Sequence, residues 1–159
     1  MTDAEIDAKL AELGLSLPVA AAPVAAYVPV VVAGGPEGLL AHVSGQLPFI
    51  DGALVKGRLG ENVSAEEGTA AAQACGLMIL AQLKAALGSL DKVERIVKLG
   101  AFINSTGDFT AQPQIANGVS ELMVAIFGDA GKHARSAVGV PTLPLGAAVE
   151  VDAIVAVRA

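Results

Sequence analysis

Two charged residues near the C-terminus have the types and the setting for chemistry. Arg135 begins a largely apolar stretch, and no acidic residue follows it until Glu150. A guanidinium is costly to bury unless an anion meets it, and its planar fork suits a carboxylate. Glu150 lies in a strand-like alternation, where a positioned carboxylate can act as a general acid or base. Arg135 therefore holds either a ligand or an acid at a subunit contact.

Composition narrows the class of protein that carries these residues. Of the 159 residues, 53% are hydrophobic and only 16% are charged, against about a quarter charged in typical soluble domains. No apolar run approaches the about 20 residues of a membrane span, and the acidic N-terminus lacks the basic region of a signal peptide. We expect a cytoplasmic protein, without a membrane partner, that buries apolar surface against copies of itself.

Charge, thiol and histidine content exclude further classes. The chain has 10 Lys+Arg against 16 Asp+Glu and no tryptophan, so it lacks the basic tract and stacking platforms of a nucleic-acid partner. Cys75 is the only cysteine, and its apolar surroundings predict a buried thiol and not a nucleophile. His42 is interpreted as structural and His133 as an exposed turn residue. Two distant histidines do not make a zinc site, and we expect no metal or organic cofactor.

The apolar pattern predicts an α+β fold. Thr2 caps a short N-terminal helix that Gly14 ends, and a Pro/Ala-rich extended arm follows. Ser64 and Glu67 form a capping box for a long helix that ends at Gly88. The other predicted elements are a hairpin split by GGPEG, a third strand in GALVKGRLG, a strand in DKVERIVKLGAFINST, a helix in QIANGVSELMVAIFGDAG, and strands in ARSAVGV and AVEVDAIVAV. This order predicts one sheet with its helices on one face.

The last strand shows how the two faces of that sheet differ. One face carries only apolar side chains and suits a helix layer: Val149, Val151, Ala153, Val155 and Val157. The other face mixes acids with apolar side chains: Glu150, Asp152, Ile154, Ala156 and Arg158. That second face suits a subunit interface or a pocket.

Three segments carry a family resemblance: HVSGQLP, NSTGDFTAQPQIAN and ARSAVGVPTLPLGAAVEVDAIVAV. Together they resemble the RidA/YjgF family, trimeric imine/enamine deaminases also described as endoribonucleases. The resemblance covers residues 27–159, which we interpret as a RidA-like domain. Residues 1–26 form an N-terminal helix and extended arm that the shortest members lack, which is typical of a longer bacterial subgroup.

The resemblance implies a chorismate-mutase-like fold: a six-stranded, mostly antiparallel sheet with two helices on one face, in a homotrimer with a pocket at each subunit interface. The implied activity is hydrolysis of reactive 2-imino or enamine acids to 2-keto acids and ammonia. The partner is then a small carboxylate substrate, and no cofactor is required.

The resemblance also implies roles for individual residues. Arg135 clamps the substrate carboxylate, and Glu150 activates water. Asp152 shares the strand face and competes with Glu150, whose alternative role is an ion pair in the trimer. Ala137 replaces a frequent family cysteine, which removes thiol chemistry but leaves a backbone role.

Four further residues are implied to bind substrate, each with a structural alternative. Tyr27 resembles a pocket tyrosine, although Ala25 and Ala26 replace the usual Gly-Pro before it; its alternative is packing of the arm. Ser44 and Gly45 line the pocket or form a plain turn. Asn117 binds substrate or caps a helix, at the end of a loop over residues 109–117 that is longer than in short members.

Two other functions compete with the deaminase. One is a trimer that binds a small carboxylate without turning it over. The other is the endoribonuclease, which acidity, few aromatic residues and the lack of a His/Lys constellation argue against.

Overall fold

The computed structural model describes residues 1–23 and 25–159. The elements in chain order are α1 (Asp3–Glu12), β1 (Val30–Gly35), β2 (Gly38–Gln46), β3 (Phe49–Ile50), β4 (Ala53–Leu54), α2 (Ala65–Leu87), β5 (Val93–Asn104), α3 (Gln112–Phe127), β6 (Ala134–Val140) and β7 (Val149–Val157). Three short 3-10 turns lie at Leu90–Lys92, Gly128–Gly131 and Pro144–Gly146. The α+β class is confirmed.

The main sheet has five strands in the order β1-β2-β7-β5-β6, where six were expected. Its neighbours are antiparallel except β5 and β6, which run parallel. The predicted strand in GALVKGRLG does not join it; its first residues form β4, which pairs only with β3. Gly52, Gly57 and Gly60 all have positive φ, and these left-handed residues bend the segment away from an extended path.

The predicted helix ends are confirmed. Ser64 Oγ accepts from Glu67 N at 3.1 Å while Ser64 N donates to Glu67 Oε2 at 2.8 Å, and Gly88 ends α2 with φ +84°. Thr2 and Glu5 form the same box at α1. Helix α2 is long and apolar enough to cross a membrane, yet most of it is buried inside the protein, the usual position of a core helix.

The core lies between the sheet and the helices. The odd-numbered residues of β7 are buried against the helices and the even-numbered ones are half-buried on the opposite, open face, as predicted. Cys75 is fully buried, as predicted, and burial raises its thiol pKa well above the usual value. Gly118 brings α3 close to α2, because a Cβ there would collide with Thr69 O. Helix α3 thus packs closely on α2, and it also contacts strand β6.

Candidate functional site

Arg135 lies on the helix side of the sheet. Its partner across the ladder in β5 is Leu99, and Leu99 pairs in turn with Ala153 of β7. Both partners are buried against the helices, and residues directly opposite in a ladder share a face. The guanidinium therefore points toward α3 from β6, the edge strand of the sheet.

Three oxygens of α3 hold the guanidinium. Arg135 Nη1 donates to Asn117 Oδ1 at 3.0 Å and to Ser120 Oγ at 3.1 Å, and Nη2 donates to Pro113 O at 3.2 Å. The partners are at positions i, i+4 and i+7, which lie on one face of a helix. A guanidinium has five N–H donors. Within the described residues, Nε–H and one Nη2–H are left for a ligand.

All three of these oxygens are neutral. The ion pairs among the described residues join Lys84 with two acids of α1 and Lys132 with Asp129, so none of them includes Arg135 or Glu150. A cation positioned by neutral dipoles keeps its charge for an incoming anion, whereas an ion-paired cation would not. The alternative that Arg135 holds an acid is not seen within this protomer.

Asn117 lies in the second turn of α3 and does not cap it. The N-cap is Ala111, which makes no side-chain cap, so the capping alternative is wrong. Helix α3 begins at Gln112, so its first residues occupy part of the predicted loop 109–117. Pro113 does not prevent this, since proline is tolerated in the first turn of a helix. Ser120 and Pro113 were not predicted as site residues. Ser120 lies three residues after Asn117 on the predicted helix, which was a usable signal, whereas Pro113 lies before that helix and contributes only its backbone oxygen.

His133 contacts Ser120, which in turn contacts Arg135, and it is not the exposed turn residue predicted from the sequence. The ring is half-buried and bonded at both nitrogens: Nε2 lies 2.9 Å from Ser120 Oγ and Nδ1 lies 2.6 Å from Gly131 O. We call Pro113, Asn117, Ser120, His133, Arg135 and Ala137 the arginine cluster. Ala137 belongs to it because it pairs with Ala101 on the same sheet face as Arg135.

Glu150 lies on the open face, in β7. Its carboxylate sits against Gly45 of β2, where a Cβ atom would collide with Glu150 Oε1. Burial raises the pKa of Glu150, and the like charge of Asp152 raises it further. A carboxylate with a raised pKa is a stronger base at neutral pH than an ordinary glutamate.

A β-bulge places Gly45 against this carboxylate. Val43 pairs with Ala153 and Gln46 with Val151, so Ser44 and Gly45 together face a single residue of β7. Bulges re-aim side chains next to functional sites. The plain-turn alternative for these two residues is therefore wrong. Ser44 donates its hydroxyl proton to Val28 O at 2.7 Å, which leaves its oxygen as an acceptor.

Tyr27 lies in the same region as Gly45. Both line a cavity of about 160 Å³ together with Pro29, Leu47 and Leu145. The Tyr27 side chain is 43% exposed at the mouth of that cavity. We call Tyr27, Ser44, Gly45 and Glu150 the glutamate cluster.

Asp152 lies two residues further along β7 and packs against a glycine in the same way, but on the opposite neighbouring strand. A Cβ at Gly100 of β5 would collide with Asp152 Oδ1. Burial raises the pKa of Asp152, while the backbone N–H of Gly100 and the charge of Lys98 act in the opposite direction. Glu150 has no such compensation, which favours it over Asp152 as the base.

The sheet separates the two clusters. Arg135 and Ala137 face the helices, whereas Glu150 pairs with Phe102 on the open face. The structure thus brings each half of the predicted site together within the protomer and keeps the halves apart.

The sequence matches a known family model over residues 7–156, described as "YjgF/chorismate_mutase-like, putative endoribonuclease". The chain belongs to this family. Protein TCP17 of Trypanosoma cruzi is 51% identical over 152 residues, which are 94% of this chain and 92% of that protein. The family model matches from residue 7, which lies inside α1, so the match includes most of the predicted N-terminal arm.

Solved structures show the same fold at two levels of similarity. A protein of unknown function from Agrobacterium tumefaciens has a TM-score of 0.90 and 43% identity, covering 98% of this chain and 94% of its own. RidA from an Antarctic Psychrobacter has a TM-score of 0.56 and 30% identity, covering 86% of this chain and 92% of its own. The RidA/YjgF resemblance is confirmed.

Proposed function

We propose that this chain hydrolyses reactive 2-imino and enamine acids to 2-keto acids and ammonia. The observation that carries the proposal is the guanidinium of Arg135, which neutral oxygens hold while, among residues 1–23 and 25–159, two of its N–H donors have no partner and no acid pairs with it. A planar 2-imino acid presents a carboxylate that such donors can bind. The proposed role is removal of reactive metabolites in the cytoplasm.

Glu150 is the proposed base. A water oxygen adds to C2 of the protonated imine while the carboxylate takes the water proton, which gives a neutral 2-amino-2-hydroxy acid. The carboxyl group returns its proton to the nitrogen, the C2–N bond breaks and ammonia leaves. The hydroxyl oxygen becomes the keto oxygen as its proton passes to the carboxylate of Glu150. The raised pKa of Glu150 suits both directions of this proton transfer.

The proposed assembly is a homotrimer with one pocket at each interface. A closed ring joins two different surfaces of neighbouring copies, so it can set the arginine cluster of one copy against the glutamate cluster of the next. In this arrangement Arg135, Asn117 and Ala137 come from one subunit, and the glutamate cluster comes from the other. The half-buried open face of β7, with its mixed character, supports such a contact.

A coupled assay tests the proposal. An amino-acid oxidase generates 2-iminopropionate and larger imino acids in situ, and semicarbazide traps whatever is not hydrolysed. The wild type is expected to lower the rate of semicarbazone formation, and Arg135→Ala is expected to lose about 100-fold in kcat/KM with the lost charge-assisted hydrogen bonds. Arg158→Ala, which removes an exposed arginine bonded to Asp91 O, is the matched control.

Two results would replace the deaminase with another function. If the wild type leaves semicarbazone formation unchanged yet binds pyruvate through Arg135, the chain is a carboxylate-binding protein. If nuclease-free preparations cleave RNA and Arg135→Ala does not, the endoribonuclease in the family description applies.

A further inference from the structure

His133 forms one link of a row of hydrogen bonds that ends at Arg135. Gly131 O accepts only, so the short 2.6 Å contact places a proton on His133 Nδ1. In the neutral ring Nε2 is then an acceptor, and it accepts a hydrogen bond from the Ser120 hydroxyl. Ser120 Oγ keeps its lone pairs for Arg135 Nη1.

Every bond in this row runs in the same direction, from Arg135 to Ser120, from Ser120 to His133, and from His133 to Gly131. Aligned hydrogen bonds polarise and strengthen one another. The row also has a rigid end. A Cβ at Gly131 would collide with Met123 O of α3, so only glycine allows the backbone to pack this closely.

This support matters because Arg135 lies on an edge strand. A long arginine side chain loses about 2 kcal/mol of rotamer entropy when it is fixed. Fixing it before the ligand arrives removes that cost from binding, which is how pre-organisation raises affinity. Neutral partners do so without cancelling the charge that the ligand needs.

We propose that His133 is a positioning residue that fixes Ser120, and through it Arg135, for a carboxylate ligand. The proposal rests on the role of Arg135 given under the proposed function. It assigns to the row a specific property: the oxygens around the guanidinium must be neutral, so that they orient the cation without competing for it.

Pyruvate is the probe, with affinity measured by calorimetry on the intact oligomer. Ser120→Ala and His133→Phe are each expected to weaken binding about three- to tenfold, the value of one hydrogen bond. His133→Gln keeps an acceptor for the Ser120 hydroxyl and is expected to restore most of the affinity. Because the two residues act in series, the double variant Ser120→Ala/His133→Phe is expected to bind no worse than Ser120→Ala.

Asn117→Asp separates positioning from simple structural support. The substitution keeps the shape but turns one neutral oxygen into a carboxylate beside Arg135. Melting temperature is expected to stay level or rise, while pyruvate binding weakens about tenfold or more because the new charge competes with the ligand. A merely structural role for the row predicts no loss.

Nitrogen-15 NMR of the histidines measures directly which ring nitrogen of His133 carries the proton. The His133 signals are expected to show a protonated Nδ1 and an acceptor Nε2, and Ser120→Ala is expected to shift Nε2. Ser89→Ala, which removes a hydroxyl bonded to Asp91 N, is the control that leaves His133 unchanged.

Three outcomes would overturn the proposal: a protonated Nε2 in the neutral ring, wild-type pyruvate affinity in folded His133→Phe, or no pyruvate binding by the wild type. Failure of the deaminase itself looks different. In that case pyruvate still binds and still responds to the row, but no imino acid is turned over.

Discussion

The arginine cluster and the glutamate cluster differ in the sign of their charge and in what surrounds that charge. Arg135 is a cation on an edge strand, and neutral oxygens of α3 hold it in place. Glu150 is a half-buried acid that has a like charge beside it and no ion-pair partner among the described residues. Among the described residues, no acid pairs with Arg135 and no cation pairs with Glu150, so each cluster has the charge that would complement the other.

The two clusters are also built by different means. Arg135 is placed by the spacing of three residues along one helix face. The Glu150 carboxylate occupies space that Gly45 leaves open because it has no side chain. Any side chain at this bulge position would collide with the carboxylate. A substitution therefore damages the first cluster by removing bonds and the second by filling space.

Glu150→Gln is expected to have the largest effect. Removing the base lowers kcat about 10²- to 10⁴-fold while pyruvate binding at Arg135 persists. Glu94→Gln, on an exposed position of β5, is the matched control. If kcat of Glu150→Gln stays near wild type, Glu150 is not the base.

The same variant is expected to be more stable. The fold raises the pKa of Glu150, so the group contributes stability below its unfolded pKa and loses it as pH rises through the folded pKa. At pH 7 the buried charge is a cost that glutamine removes, and melting temperature should rise in thermal unfolding. A lower melting temperature would mean that a cation partner holds Glu150 in the assembly.

Gly45→Ala is expected to act next most strongly. The new methyl group displaces the Glu150 carboxylate, and displacement of a catalytic group by about 1 Å can cost about 100-fold in rate. Gly35→Ala is the control, because a Cβ there meets no atom within 4 Å. Equal kcat/KM values for the two variants would show that the position of Glu150 does not matter.

Asp152→Asn is expected to have the smallest effect, on the pH profile. Activity needs ionised Glu150, so kcat/KM falls as pH drops through its raised pKa. Burial is the main cause of that raised pKa and Asp152 is the second, so removing the Asp152 charge moves the acid limb to lower pH. An unmoved limb would assign the titration to another group.

The fold was more predictable from sequence than the site. Capping boxes and the β7 alternation are local signals, and both were confirmed. The strand predicted in GALVKGRLG is shorter than expected and does not join the main sheet, because positive φ at its glycines bends the segment away from an extended path. His133 was misjudged because its partner Ser120 is 13 residues away, on a different element.

The division of the site had the weakest sequence signal. The alternation of apolar and polar residues in β7 predicts which face of the sheet carries Glu150. The face that carries Arg135 depends instead on the ladder between β5 and β6. That ladder pairs Arg135 with Leu99, a residue of a strand far away in the sequence, so the pattern within β6 alone does not give the face of Arg135. Only the structure separates the two clusters.

Complementation between two inactive variants tests the division most directly. Arg135→Ala and Glu150→Gln carry different tags, are co-expressed, and mixed oligomers are isolated through both tags. If each pocket joins the arginine cluster of one copy to the glutamate cluster of the next, every trimer that contains both variants has one intact pocket of three, so the isolated mixed trimers regain about a third of wild-type deaminase activity. Mixed oligomers that contain both variants yet stay as inactive as either parent would contradict a site shared between copies.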